Sequence, residues 1–411
     1  MSDVLRVTAH GLACPRDSRT QRALFHVDPW RPVEHAVITH AHSDHARPGS
    51  ARYYCAAPGV ELLRLRVQAG AQVVGVPYGE TLDFGNARVS FFPAGHVRGS
   101  AQVRVERGGQ TWVVTGDYKR DADPTCDPFQ VVACDTLITE ATFALPIYRW
   151  DPPGESIGEI AEWWDENRAA GRVSVLFGYA LGKAQRVLAE LERHPRTAGR
   201  RALLHGALLP LTNAYRALGV KMLATFPATV EAELGREPPP AEAAPTPAPP
   251  TELAFSEGTS PLGSDEEARR TIAPARATSA RGKRKRSRSF AGELILAPPS
   301  AAGTPWMRRF GPSTMVQTGF ASGWMRIRGI RRRRGYDRGF VISDHADWPG
   351  LLRTIRESGA RRVLCTHGYS ETLASHLREL GLDAQPLATP YGAEDDDSPS
   401  NTDAGPGSAA P

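Results

Sequence analysis

Apolar and polar positions change their period along this chain. Over the first third, short runs such as AVITH (36–40), ARVSFFP (87–93), AQVRVE, TWVVTG and TLITE stand between Gly-, Pro- and Asp-rich turns. This pattern predicts strands, with a single helix near Pro58 to Gln68. From Ile157 onward, helical spacing over Ile157 to Ala170, Lys183 to Arg193 and Asn213 to Leu218 alternates with buried-strand runs at Val173 to Phe177 and Ala202 to His205. Such alternation implies a partly parallel sheet. Strands follow at Leu294 to Ala297 and Gly339 to Ile342, then a helix at Pro349 to Ser358, a strand at Arg362 to Thr366 and a helix at Thr372 to Leu380. The fold class is therefore α/β.

Two stretches carry no such period. Thr229 to Gly292 is rich in Pro, Ala, Glu, Ser and Arg, and the acidic Pro/Ser/Gly tail begins at Gly392. Both are expected to be disordered, because they hold too little apolar surface to offset the entropy of ordering.

The chain has 411 residues, 41% of them hydrophobic and 23% charged, which suits a globular protein with a substantial core. No apolar run reaches the ~20 residues of a membrane helix, and the N-terminus reads as neither an export signal nor a presequence. A cytoplasmic location is expected, with no membrane partner. Five cysteines without a CxxC pair argue against a disulfide framework and a thiolate zinc site. The net charge of +5 includes five negative charges between Glu394 and Asp403, so the remainder is close to +10. Arginines cluster at 308, 309, 326, 328, 331 to 334 and 338, which suits a surface that meets a polyanion and equally a solvated face.

The chemistry concentrates in AVITHAHSDH, where a buried strand runs into His40, His42, Asp44 and His45. At a strand end entering a loop, His40 and His42 can face one ion while Asp44 and His45 face a second. Two later strands have the same grammar, an apolar run and then a glycine before the ligand: Gly95 leads to His96 and Gly116 to Asp117. Strand ends near the C-terminus carry His345 in SDHAD and His367 in THG.

Together with Glu140 in ITEATF, these residues resemble the metallo-β-lactamase superfamily in its nucleic-acid-processing β-CASP branch. FHVDPWRP, GHVRGSAQVRVE, TGDYKR, LPIYRW, YALGKAQR, LAPPSA and SGWMRIRG resemble the bacterial ligase-associated DNA exonucleases in particular. The resemblance covers residues 1 to about 225 and 293 to 388. It implies a four-layer αβ/βα metallo-β-lactamase sandwich formed by 1–145 and 339–391, interrupted by a β-CASP-like α/β cap at 146–338 that contains the 229–292 insertion; 392–411 would form the tail.

The resemblance also assigns roles. His40, His42 and His96 would hold one metal ion, Asp44, His45 and His367 a second, and Asp117 would bridge them. Zinc is the implied ion, and the nitrogen-and-oxygen donor set also accepts manganese. Two such ions activate a water and clamp phosphate oxygens, so Asp117 and Asp44 count among the catalytic residues. His345 would assist the leaving oxygen and Glu140 would orient it. Where the family has a serine after that acid, this chain has Ala141. Asp28 would orient a histidine ligand from behind. Lys183 and Gln185 open a helix whose amides can meet a phosphate. Trp324 beside Arg326, Arg328 and Arg331 offers a stacking surface for a single strand.

The expected function is a two-metal nuclease, most simply a DNA exonuclease that trims ends beside an ATP-dependent DNA ligase and a helicase. A β-CASP ribonuclease, a small-molecule metallo-hydrolase and an inactive binding module are the alternatives. The roughly 220 residues between Glu140 and His367 favour a polymer groove over a compact small-molecule site.

Overall fold

The computed structural model describes residues 3–16, 22–67, 70–152, 154–229, 290–333 and 335–388. Most of the 229–292 insertion, the tail from 392 and Arg334 lie outside the described residues. The fold resumes at Phe290, buried against Phe310 at 5.1 Å between ring centroids, so the last residues of the expected insertion belong to the packed structure.

The chain begins with β1 (Arg6–Thr8), β2 (Gly11–Pro15), β3 (Ala23–Val27), β4 (His35–Val37), β5 (Arg52–Ala56), α1 (Val60–Val67) and β6 (Gln72–Val76). These six strands form one sheet in sequence order, antiparallel up to β3 and parallel from there. Next come β7 (Thr81–Asp83), β8 (Arg88–Pro93), β9 (Ala101–Arg107), β10 (Gln110–Val114) and β11 (Thr136–Glu140), which enter a second sheet.

The middle of the chain contributes α2 (Glu155–Ala169), β12 (Val173–Phe177), α3 (Lys183–Arg193), β13 (Arg201–Leu204), α4 (Leu209–Ala217), β14 (Ala224–Pro227), β15 (Leu294–Ala297), β16 (Val316–Ala321), α5 (Arg328–Arg333) and β17 (Arg338–Phe340). Its strands make a third sheet, wholly parallel, in the order β14-β13-β15-β12-β16-β17. The chain then returns through α6 (Trp348–Ser358), β18 (Arg362–Thr366), α7 (Ser370–Glu379) and β19 (Asp383–Pro386), completing the second sheet as β19-β18-β11-β10-β9-β8-β7.

The first two sheets face each other. Phe25, Val27, Val37 and Tyr54 of one share a buried cluster with Phe91, Val103, Val105 and Trp112 of the other. Helices α6 and α7 cover the outer face of the second sheet through Leu351, Ile355, Leu373 and Leu377. The outer face of the first sheet, with α1, packs on α2, α3 and the third sheet through Ile38, Leu62, Ile160, Leu181 and Leu188. The result is an α/β sandwich with a third, parallel sheet against one side. No helix among the described residues is long and apolar enough to cross a membrane, and the five cysteines are all unpaired.

Two expected boundaries move for physical reasons. The strand expected to run to Thr39 stops at Val37, because the Thr39 amide donates to Asp28 Oδ1 at 2.8 Å and leaves the ladder. The strand expected to reach Ile342 stops at Phe340, and the Ile342 carbonyl instead accepts from Lys183 Nζ at 3.3 Å.

Candidate metal centre and cavity

The motif residues collect at one edge of the sandwich. His40 and His42 follow β4, His96 follows β8, Asp117 follows β10, Glu140 ends β11 and His367 follows β18. Glycine makes the approach possible. Gly116 has φ +56, and a Cβ there would lie 2.7 Å from Thr39 Oγ1; Gly95, at φ +73, would meet the Lys119 carbonyl at 2.4 Å.

Donor atoms of His40, His42, His96 and Asp117 lie within 4.8 Å of one another, and so do those of Asp44, His45 and His367. The seven positions read as ligands are thus brought together in two adjoining groups. A third group of the same span joins Asp117, Glu140 and His345.

Hydrogen bonds fix which nitrogen of His42 and of His96 faces inward. His42 Nε2 lies 3.2 Å from the Leu181 carbonyl and His96 Nδ1 2.7 Å from the Asp344 carbonyl. A carbonyl oxygen only accepts, so both of these nitrogens carry protons. The lone pairs of His42 Nδ1 and His96 Nε2 are therefore turned on each other at 3.1 Å, with His40 Nε2 3.0 Å from His42 Nδ1. Neither of the first two can donate, and all three rings pack around the same point. Zinc ligands at about 2.0 Å in a tetrahedron stand about 3.3 Å apart, so a cation between these nitrogens accounts for their spacing. Asp117 brings Oδ2 to 3.5 Å from His40 Nε2 and 3.6 Å from His45 Nε2, while its Oδ1 is buried without a hydrogen-bond partner. The donor set fits a divalent metal.

The electrostatics agree. Burial holds His40, His42 and His96 below the ordinary histidine value, His42 at about 4, so these rings are neutral and ready to coordinate. Burial raises Asp117 to about 7 against the pull of His45. Burial likewise works against ionised Asp44, but His45, His42 and His367 outweigh it and hold the carboxyl at about 2. His45 is the exception among the histidines read as ligands. Burial would lower it, yet Asp44, Asp117 and Asp28 raise it well above its usual value.

Asp28 sits behind this cluster in a left-handed backbone conformation, φ 42. Its Oδ2 is 2.8 Å from His45 Nδ1 and accepts from Thr39 Oγ1 at 2.6 Å. His345 Nδ1 is 2.8 Å from Glu140 Oε2, while Glu140 Oε1 accepts from the Tyr118 amide at 2.7 Å. Burial opposes the charge on His345, but Glu140 and Asp117 raise it to about 9.

A cavity of about 220 Å³ opens over the cluster. One side is His42, Asp44, His96, Asp117 and His345; the other is formed by residues that follow the central strands of the parallel sheet, Tyr179 to Leu181 after β12, Pro298 to Ser300 after β15 and Ser322 to Trp324 after β16. The carboxyl edge of an open parallel sheet is where ligands settle.

The residues read as nucleic-acid contacts fare differently. Lys183 opens α3 as expected, but its side chain is 3% exposed and its ammonium is paired with Asp344 at 3.1 Å. Trp324 lines the cavity but is 7% exposed, packed on Phe143 at 4.7 Å. Arg326 pairs with Asp151 at 2.9 Å, Arg328 is exposed and away from the cavity lining, and the Arg331 side chain lies outside the described residues. Sequence reading missed Arg66, Tyr179 and Asp344. Arg66 lines the cavity and donates from Nε to the Ala41 carbonyl at 3.1 Å. Nothing in the local pattern of α1 marks it, because an arginine on a helix reads as a solvated residue until the cavity is formed.

No protein-family model matches the chain. It is 28% identical over 378 residues to a probable DNA ligase of Opitutus terrae, an alignment that covers 92% of this chain and 30% of that protein. It is 26% identical over 211 residues to a ribonuclease of Thermus thermophilus, 45% of this chain and 48% of the relative. Over 136 residues it is 35% identical to the endoribonuclease Ysh1 of Aspergillus fumigatus, covering 29% and 14%. The chain therefore spans less than a third of the first relative and about half of the second. A solved structure of a protein of unknown function from Enterococcus faecalis aligns with a TM-score of 0.47 and 11% identity, over 87% of this chain and 80% of that one.

Proposed function

We propose that this chain, a relative of the metallo-β-lactamase proteins of the β-CASP kind, is a metal-dependent phosphodiesterase that hydrolyses nucleic acid, with a DNA end as its substrate. The observation that carries the reading is the convergence of the His42 Nδ1 and His96 Nε2 lone pairs, with His40 Nε2 and Asp117 beside them, at a cavity whose far side is formed by residues following the strands of a parallel sheet. In this reading 1–145 and 339–391 are the metallo-β-lactamase core, and 146–338 is the β-CASP-like cap. The layering of helices outside two facing sheets supports that assignment.

The residues divide the work. His40, His42 and His96 would hold one divalent ion and Asp44, His45 and His367 another, with Asp117 between them. Two such ions supply Lewis acidity to phosphate oxygens and make water acidic enough to attack near neutral pH. His345, kept protonated by Glu140, faces the same cavity and donates a proton from Nε2 to the departing sugar oxygen. Asp28 fixes His45 so that Nε2 points inward. Pro298, Pro299, Phe143 and Trp324 give the cavity an apolar portion of its wall.

The likeness to a stretch of a probable DNA ligase supports DNA and a role alongside ligation. The ribonuclease likeness supports a second reading, RNA processing, on the same site. Matched 5′- and 3′-labelled single-stranded DNA and RNA, incubated with zinc- or manganese-loaded protein and with Asp117→Asn, decide between them. DNA shortened stepwise with RNA spared is the expected result. RNA cleavage alone would move the substrate class, and no cleavage of either would sink the nuclease.

A further inference from the structure

A buried ionic network forms part of the cavity wall, which Lys183 and Asp344 line. Asp344, between Ser343 and His345, is 4% exposed, and its carboxylate is held from both sides: Lys183 Nζ lies 3.1 Å from Oδ2 and Arg186 Nη1 3.1 Å from Oδ1. The same two cations hold the chain that leads to it. Lys183 Nζ donates to the Ile342 carbonyl at 3.3 Å and Arg186 Nη1 to the Ser343 carbonyl at 2.6 Å. Lys183 and Arg186 are three residues apart in the first turn of α3, so they share one face of that helix. Arg186 is itself steadied by Glu190 at 2.7 Å and Asp123 at 3.6 Å.

The other end of Asp344 reaches the candidate metal site. Its carbonyl accepts from His96 Nδ1 at 2.7 Å, which fixes the tautomer of His96 and leaves Nε2 facing His42 and Asp117. An oxygen behind an imidazole orients the ring and raises its basicity as a ligand.

We infer that Asp344 is a positioning residue through which α3 sets the place and tautomer of His96, so that this helix completes the candidate metal site as well as walling the cavity. Lys183 and Arg186 act through Asp344, whose backbone carbonyl is the atom that meets His96. Desolvated charges are tolerated only when partnered. Losing one cation therefore frees the carboxylate to seek water, and the carbonyl on His96 moves with it. The inference rests on the metal reading above and not on the identity of the substrate.

The test is Zn2+ affinity of the full chain, measured by competition with a chromophoric chelator, together with kcat and KM on the cleaved oligonucleotide. Asp344→Asn and Arg186→Met are expected to weaken Zn2+ binding 10- to 100-fold, as removal of such outer partners does, with KM changed far less than kcat. Arg186→Lys, which retains a cation, should recover most of the affinity. If a single variant fails to fold, Asp344→Asn with Lys183→Met removes a charge from each side and takes its place. The Co2+-loaded protein adds a spectral readout: its visible absorption should change in the variants, because ligand geometry changes. Zn2+ affinity within twofold of the parent and an unaltered Co2+ spectrum would overturn the coupling while leaving the nuclease reading intact. Wild-type protein that retains no metal would sink both. Metal retained without nucleic-acid cleavage would sink the nuclease alone, and the affinity comparison would still judge this inference.

Discussion

His345 and Glu140 meet through a single 2.8 Å contact between Nδ1 and Oε2, although 205 residues separate them: Glu140 ends β11 and His345 lies between β17 and α6. Glu140 is buried at the end of β11, and its second oxygen is occupied by the Tyr118 amide. The pair therefore presents one remaining imidazole nitrogen, Nε2, on the cavity side.

If Glu140 serves His345, Glu140→Gln should lower kcat by about 100-fold, within the range for loss of a general acid, with metal content unchanged. Single-turnover cleavage and elemental analysis on the same preparation check this. Loss of metal in parallel would instead make Glu140 a ligand.

His42→Ala and Asp117→Asn should abolish both metal retention and cleavage, whereas His345→Ala should lose rate with metal still bound. Elemental analysis separates the two classes. Chelation of the wild-type protein should lower its thermal midpoint, because metal that binds only the folded chain stabilises it. A midpoint indifferent to chelator and to added Zn2+ counts against the site.

Gly116 is a sharper probe of the backbone. A methyl group at φ +56, 2.7 Å from Thr39 Oγ1, must displace Thr39 from Asp28. Gly116→Ala should cost about 1–3 kcal/mol of stability and weaken metal binding, since Asp28 then loses its hold on His45. Gly109→Ala, also at positive φ but with open space around its Cβ position, is the control and should keep metal affinity.

Acid should undo the Lys119 to Asp123 pair, 2.6 Å apart with both side chains buried. Burial alone would raise the Asp123 carboxyl, but Lys119 and Arg186 outweigh it and hold it below its usual value. A carboxyl depressed in the folded state binds fewer protons there than in the unfolded chain. Its stabilisation is complete above the unfolded value of about 3.9 and is lost as pH falls through the folded one. Asp123→Asn should therefore lower stability at pH 7 by about 3 kcal/mol and flatten the loss below pH ~4. Thermal midpoints from pH 7 to 3 measure both.

The residue types at the site were legible because the ligands follow short local rules. An apolar strand, a small residue and a histidine or aspartate recur at His40, His96, Asp117 and His367. Elements with strong patterns were legible too: Val173–Phe177, Lys183–Arg193, Leu294–Ala297 and Arg362–Thr366 have the bounds that their apolar runs predict. Short strands such as Arg6–Thr8 and Thr81–Asp83 were not, because three half-exposed residues carry too little pattern.

By itself, the sequence determined which side chains reach the edge of the sandwich and that histidine and carboxylate dominate there. Only the tertiary structure decided which nitrogen of His42 and of His96 faces inward, since that depends on the Leu181 and Asp344 carbonyls, far away along the chain. It also decided that Lys183 is a buried partner of Asp344 and not a surface charge. A local pattern records residue type and spacing; a hydrogen bond or an ion pair exists only once folding has brought its second member into reach.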